Sequence, residues 1–464
     1  MILDEIVRKT LIRVEEEKAK EPMAAMKAKA SLVNGKLEPF AFEKSIREKG
    51  FGFICEVKKA SPSKGVIAED FPFGDIAAEY ERCGAACISC LTEPYFFMGS
   101  DDYLREIKRR VNIPVIRKDF VVDVYQIYQA KSLDADAVLL ICAILTDAQL
   151  SEYLRVAKEL GMSALVETHD EEEMRRAISA GATLVGVNNR NLNDFSVDIG
   201  NSLRLRPLAP KELTFVAESG LKSASDIKAL KEAGVNGALI GETFMRSEEK
   251  CKMMGELDGT RIKICGLRRP EDVDFVNEAM PEYAGFVFAD SPRKIDDHTA
   301  ELLKVRLKSE IKTVGVFVNE PIGHVSTLCK KGIIDIIQLH GDEDEDYIDA
   351  LREMTGKKII KAFRIKDGTD IKRAMASGAD CVLLDAYTED AYGGTGKVFN
   401  DGLIPGSFRK YFLAGGIDGS NVKDIVKRNR PYCIDVSSGV ETDGFKDREK
   451  ILDVVRKVRE CYGE

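Results

Sequence analysis

At 464 residues the chain is too long for one hydrophobic core, which stops growing at roughly 250–300 residues, and it suits two domains of about 200–250 residues each. Apolar residues make up 44 % and charged residues 32 %, an ordinary balance for a soluble globular protein. The net charge of −9 excludes a broad nucleic-acid binder but not small anionic substrates, which local clusters decide.

Residues 1–50 are predicted helical, with Ile2, Ile6, Leu11 and Val14 supplying an apolar face. This stretch is charged throughout and lacks a signal-peptide core. No segment reaches the roughly 18 apolar residues of a membrane span, so a cytoplasmic protein without a membrane partner is expected. From Phe53 the texture changes. Eight short apolar runs alternate with charged helical stretches: FICEV, ACISCL, PVIRK, AVLLIC, SALVE, TLVGVN, TFVAES and GALIG. Their continuous apolar character marks strands buried on both faces, hence a parallel sheet wrapped by helices. After a polar stretch near Gly255–Gly259 a second set of eight follows: RIKIC, YAGFVF, TVGVF, IIQLH, KIIKAF, CVLLD, YFLAGG and YCIDV. An open doubly wound sheet would show fewer strands and a glycine-rich turn after the first, and neither half has that turn. The expected architecture is two tandem (β/α)8 barrels, 1–255 and 256–464, the first carrying an N-terminal helical extension.

Barrels of this kind work at the C-terminal ends of their strands. In the first half those positions hold Glu56, Lys58, Lys118, Glu167, Asn188, Arg190, Glu218 and Ser219. Each alone could be a helix cap or a surface ion pair. Together, from five strands, they define one charged mouth that would be costly to bury without purpose. Lysines beside carboxylates suit acid–base work on a carbonyl compound. The second half offers Cys265, Arg293, Gln338, His340, Asp385 and Asp435, with Cys265 closing a first strand and Asp385 a sixth. A lone cysteine is weak support, since most serve packing, and a thiolate favoured by Lys263 is one possibility. Each half also ends in paired small-residue turns, at Gly220 and Gly241 and at Gly415, Gly416 and Gly439. Glycines there let backbone N–H groups approach a phosphate, although turn geometry alone would also call for them.

Eleven cysteines lie scattered without a framework, as expected of reduced thiols. Cys83, Cys87 and Cys90 match C-x3-C-x2-C, but the odd offset between the last two, in or beside a strand, points them to opposite faces. No metal site is expected there, nor from the four histidines.

The segments CEVKKASPSKGVI, IRKDFVVDVYQIY, GVNNRNL and VAESGL resemble indole-3-glycerol-phosphate synthase. KICGL, GFVF, SPR, QLHG, GGTGK, LAGGI and DVSSGVE resemble phosphoribosylanthranilate isomerase, and their order resembles the fused bifunctional enzyme of tryptophan biosynthesis. That resemblance implies Lys118 as general acid on the ketone oxygen and Glu167 as acid–base partner. Lys58 and Glu56 would hold the substrate carboxylate and share the proton work. Ser61, Asn188, Arg190, Glu218 and Ser219 would position substrate, and Gly220, Gly241 and the backbone of Glu242 its phosphate. The leading helix would lie over the mouth. In the second half it implies Cys265 as general base, Asp385 as general acid, and Arg293 on the anthranilate carboxylate. Gln338 and His340 would contact substrate and Asp435 a sugar hydroxyl, with Gly415, Gly416, Ser437 and Ser438 around the phosphate and Gly393–Lys397 as a closing loop. It also implies small phosphorylated anthranilate–ribose substrates, no cofactor, and no need of other pathway enzymes. Arg268, Asn400 and Glu242 depart from the expected Thr, acidic or Trp-bearing stretch, and Ser. A tandem barrel of histidine biosynthesis would place paired aspartates on strands one and five, where this chain has Glu56 or Cys265 and Glu167 or Ala362. A retained scaffold without activity is the non-enzyme alternative, and proton-transfer residues at both mouths argue against it.

Overall fold

The computed structural model describes residues 2–33, 35–191, 196–386, 401–405 and 408–462. The chain divides into two compact units, Met1–Lys250 and Cys251–Glu464. The first opens with helices α1 (Ile2–Lys20), α2 (Met23–Leu32) and α3 (Ala41–Glu48). Eight strands follow: β1 (Gly52–Val57), β2 (Cys87–Leu91), β3 (Val115–Lys118), β4 (Ala137–Ile141), β5 (Ser163–Thr168), β6 (Leu184–Asn188), β7 (Thr214–Glu218) and β8 (Gly237–Ile240). They pair in sequence order, all parallel, and β8 returns to β1 with Gly52 opposite Gly237. Each apolar run of the first half is therefore a barrel strand.

The second unit repeats the plan with β9 (Arg261–Cys265), β10 (Tyr283–Val287), β11 (Lys312–Phe317), β12 (Ile336–Leu339), β13 (Lys358–Ile365), β14 (Cys381–Ala386), β15 (Tyr411–Leu413) and β16 (Cys433–Val436). β9 closes on β16 with Lys263 opposite Asp435. In a strand alternate side chains face the barrel axis. Thus Tyr283, Val314, Ile360, Leu383, Phe412 and Cys433 form one interior cluster, while Ile262, Ile264, Phe286 and Phe317 pack outward beneath the helices. Every fully buried Val, Leu, Ile or Phe contributes about 1.5–3 kcal/mol to that closure.

Helix α3 closes the N-terminal end of the first barrel. Phe42 and Ile46 join the interior cluster, and Ser45 Oγ donates to the Ala86 carbonyl at 2.8 Å. Helix α1 covers the opposite end, but not on the expected face. The buried positions are Ile6, Thr10, Arg13 and Val14, spaced i, i+4, i+7, i+8, whereas Leu11 is 47 % exposed. Five residues after Ile6, Leu11 lands about 140° round the helix, so its apolar character is overruled by phase. Arg13 Nη2 donates to both oxygens of Asp119, at 2.9 and 2.8 Å, tying α1 to the residue after β3.

Cys87 and Cys90 are buried free thiols. The expectation of reduced thiols throughout fails at Cys83 and at Cys251, each of which is disulfide-bonded. No helix among the described residues is long and apolar enough to cross a membrane.

Candidate active sites

The first barrel's mouth holds a cavity of about 620 Å³. All the residues singled out in that half line it: Glu56, Lys58, Ser61, Lys118, Glu167, Asn188, Arg190, Glu218, Ser219, Gly220, Gly241 and Glu242. Apolar walls come from Phe97, Phe120, Leu139 and Ile141, and from Ile2, Leu3 and Ile6 of α1. The helical extension is thus part of the cavity.

Lys118, the last residue of β3, sits among carboxylates. Its Nζ is 2.8 Å from Glu218 Oε2 and 3.5 Å from Glu167 Oε2. Burial opposes its charge, yet Glu218, Glu167 and Glu56 outweigh burial and hold it protonated. The two carboxylates part company. Burial raises both, but Lys118, His169 and Asn188 bring Glu167 well below the ordinary range. Glu218 stays above it, because burial and the nearby Glu167 charge exceed what Lys118 returns. Two carboxyl groups whose surroundings push them in opposite directions are what a paired acid and base require.

The backbone makes room for this pair at Gly186 of β6. A Cβ there would lie 2.0 Å from Glu218 Oε1 and 3.2 Å from Leu165 Cδ1. Ser219, next to Glu218, has φ of 68°, a left-handed conformation rare for a side-chain-bearing residue. Its carbonyl accepts from Asn189 Nδ2 at 3.1 Å, which anchors the turn. Asn188 Nδ2 donates to Glu167 Oε1 at 3.1 Å, and its own Oδ1 accepts from the Arg190 amide at 3.0 Å. Lys58 Nζ donates to Glu56 Oε1. Gly241 immediately precedes the short helix Glu242–Met245, whose Glu242 carboxylate pairs with Arg246 at 3.1 Å.

At the second barrel's rim Cys265 closes β9 and Asp385 lies near the end of β14. Burial pushes the Cys265 thiol up; Lys263 pulls the other way, but Asp435 offsets it. Lys263 Nζ donates to Asp435 Oδ2 at 2.8 Å with its side chain fully buried. Gly285, opposite Cys265 on β10, lets the sulfur lie in the wall, since a Cβ there would stand 2.7 Å from Sγ. Gln338 Nε2 is 3.3 Å from His340 Nδ1, and His340 Nε2 is 3.5 Å from Asp385 Oδ2.

Among the described residues, three buried atoms of this rim, Gln338 Oε1, His340 Nε2 and Asp435 Oδ1, have no hydrogen-bond partner. Such groups are costly unless a ligand completes them. Arg293 is not free for a ligand as it stands: Nε and Nη2 reach both oxygens of Glu441 at 2.8 Å. Gly415 and Gly416 are both left-handed, with φ of 98° and 63°. Ser437 Oγ donates to the Cys265 carbonyl at 3.2 Å, and Ser438 starts the turn Ser438–Val440. Arg268 bridges two rim loops, donating to the carbonyls of Pro292 at 2.7 Å and of Gly444. Gly393–Lys397 and Asn400 lie outside the described residues.

Sequence reasoning missed His169, Arg13 and Asp119, Glu441, and Arg364, which sits in register with Asp385 on β13. His169 lies two residues past Glu167 and so on the same strand face, a signal that was available. The other four are legible only once the chain is folded.

Comparison with known proteins places both halves of the chain in known families. Residues 3–257 match the family model for indole-3-glycerol phosphate synthase, and residues 262–457 that for N-(5'-phosphoribosyl)anthranilate isomerase. An indole-3-glycerol phosphate synthase of Ruminiclostridium cellulolyticum is 54 % identical over 260 residues, 56 % of this chain and 100 % of that protein. The tryptophan biosynthesis protein TrpCF of Buchnera aphidicola is 35 % identical over 464 residues, covering 98 % of this chain and 99 % of the relative. TrpCF of Vibrio cholerae is 34 % identical, covering 99 % and 96 %. The chain belongs to the bifunctional indole-3-glycerol-phosphate synthase/phosphoribosylanthranilate isomerase family of tryptophan biosynthesis, the isomerase being C-terminal.

Proposed function

We propose that the two mouths act in succession on small phosphorylated anthranilate–ribose compounds, with 256–464 working first and 1–255 second. In the isomerase barrel Asp385 protonates the ring oxygen of N-(5-phosphoribosyl)anthranilate and opens the ribose. Cys265, as thiolate, then removes the C2 proton, and the enol becomes the ketone of 1-(2-carboxyphenylamino)-1-deoxyribulose 5-phosphate. This is an internal redox shift that needs no external oxidant. Arg293 exchanges Glu441 for the anthranilate carboxylate, and Asp435 Oδ1 accepts from a sugar hydroxyl. Gln338 and His340 contact the substrate, while Gly415, Gly416, Ser437 and Ser438 take the phosphate.

In the synthase barrel the aromatic carbon bearing the carboxylate attacks the ketone carbon. Lys118 donates a proton to the ketone oxygen, carbon dioxide leaves to restore the aromatic ring, and the hydroxyl then departs as water with Glu167 moving the protons. Lys58, fixed by Glu56, holds the carboxylate, and Ser61, Asn188, Arg190, Glu218 and Ser219 orient the chain. Gly220, Gly241 and the Glu242 amide bind the phosphate. The observation that carries the reading is Lys118 within 2.8 Å of one buried carboxylate and 3.5 Å of another at the floor of a single cavity.

The reactions require no added cofactor and no other pathway enzyme, and the site of action is the cytoplasm. Purified protein given phosphoribosylanthranilate alone should release indole-3-glycerol phosphate and carbon dioxide. Accumulation of neither product, nor of the ketone intermediate, would defeat the proposal.

A further inference from the structure

His169 follows β5 by one residue and is fixed from several sides. Its Nδ1 lies 3.0 Å from Glu173 Oε2, which also accepts from the His169 amide at 2.8 Å. Asn201 Nδ2 donates to its carbonyl at 2.9 Å. The remaining ring nitrogen, Nε2, is buried, has no hydrogen-bond partner among the described residues, and points at Glu167 Oε1 from 3.4 Å. That distance gives strong charge interaction without an aligned hydrogen bond. A clamped imidazole with one unsatisfied atom turned on a reacting carboxylate is an arrangement that a packing role alone does not call for.

We infer that His169 is a positioning residue of the synthase: as an imidazolium held by Glu173, it keeps Glu167 ionised and turned with Oε2 toward Lys118 and the substrate. This rests on the assignment of Glu167 as acid–base group. The surrounding charges are consistent. Burial disfavours the imidazolium, but Glu167 and Glu173 reverse that and raise His169 to about 10. Glu167 is faced by Lys118 from β3, Asn188 from β6 and His169 from its own strand, with Glu218 of β7 across Lys118. His169 is faced by Glu167 and Glu173, and the Cys142 thiol donates to the Glu173 carbonyl at 3.7 Å. A carboxylate braced by cations on both sides starts each cycle able to accept a proton, and loss of His169 removes one of the two cations that hold it ionised.

Two measurements test this on the full chain. The four histidines make ring nitrogen resonances assignable by single substitution. His169 should remain protonated beyond about pH 8, and Glu167→Gln should bring its titration down toward the ordinary value of about 6.5. Titration of the unaltered protein near 6.5 would overturn the inference. In kinetics on supplied ketone intermediate, His169→Ala should lower kcat about tenfold with KM little changed, and move the acidic limb of kcat/KM up by about one pH unit. The isomerase step should be unchanged. If His169→Ala fails to fold, Glu173→Gln, which loosens the clamp, should shift the same limb in the same direction; an unmoved limb in the folded variant sinks the idea. Glu167→Gln separates the two readings. Retained turnover there refutes the acid–base assignment itself, whereas an inactive Glu167→Gln beside an unmoved limb in His169→Ala removes only the role of the histidine.

Discussion

Replacing Lys118 by Met keeps the aliphatic stem and deletes the one ammonium between Glu167 and Glu218. At an effective dielectric near 20, charges at 2.8 and 3.5 Å attract by about 6 and about 5 kcal/mol, against desolvation of several kcal/mol per ion. Removing one partner from a buried pair then leaves a net cost of about 3–5 kcal/mol. Its pH dependence fixes the mechanism. Without Lys118, Glu218, already raised by burial, titrates still further above its unfolded value of about 4.3, so the folded state loses stability as pH rises past that value. The penalty should be full near about pH 8 and fade toward about pH 5, where Glu218 takes up a proton. The chain has no tryptophan, so guanidinium unfolding is followed by far-UV circular dichroism at the two pH values. Synthase kcat should fall by about 10²–10⁴, the range for a lost general acid, with isomerase turnover intact. An equal stability cost at both pH values, or a larger one in acid, would show that the carboxylates do not depend on Lys118.

Three further outcomes follow from the same geometry. Cys265→Ala should abolish isomerisation while the synthase step proceeds on supplied ketone intermediate; loss of both activities in a folded protein would rule out two separate sites. Because burial raises the Cys265 thiol, isomerase kcat/KM should climb with pH through the alkaline side of neutrality as thiolate forms. A flat profile there would exclude the thiolate. Gly186→Ala would push a methyl into Glu218 Oε1, at 2.0 Å in the present geometry, and should cost about 1–3 kcal/mol of stability together with most synthase activity. A fully active Gly186→Ala enzyme would show that the position of Glu218 is unimportant.

The repeated strands were legible because burial on both faces leaves a local mark. A run such as AVLLI needs no knowledge of its partners to be read, and in the structure it forms β4. The rim residues were legible for the same reason: polar groups such as Lys118 and Asn188 end apolar runs, and barrel geometry gathers such ends on one side. The face of α1 was misjudged at Leu11, because hydrophobicity does not reveal helix phase when two polar residues, Thr10 and Arg13, lie on the buried face, Arg13 through its ion pair with Asp119.

What the sequence determined by itself is the count and order of the strands, the residues that close them, and, through its motifs, the family. What only the tertiary structure decided is which of those residues meet. Lys118 lies 100 positions from Glu218, and Arg293 lies 148 from Glu441, yet each pair is in hydrogen-bond contact. No local pattern encodes such partners. They are set by the stagger at which the strands close and by the space that Gly186 and Gly285 leave in the wall, and so the opposite protonation preferences of Glu167 and Glu218 arise from folding.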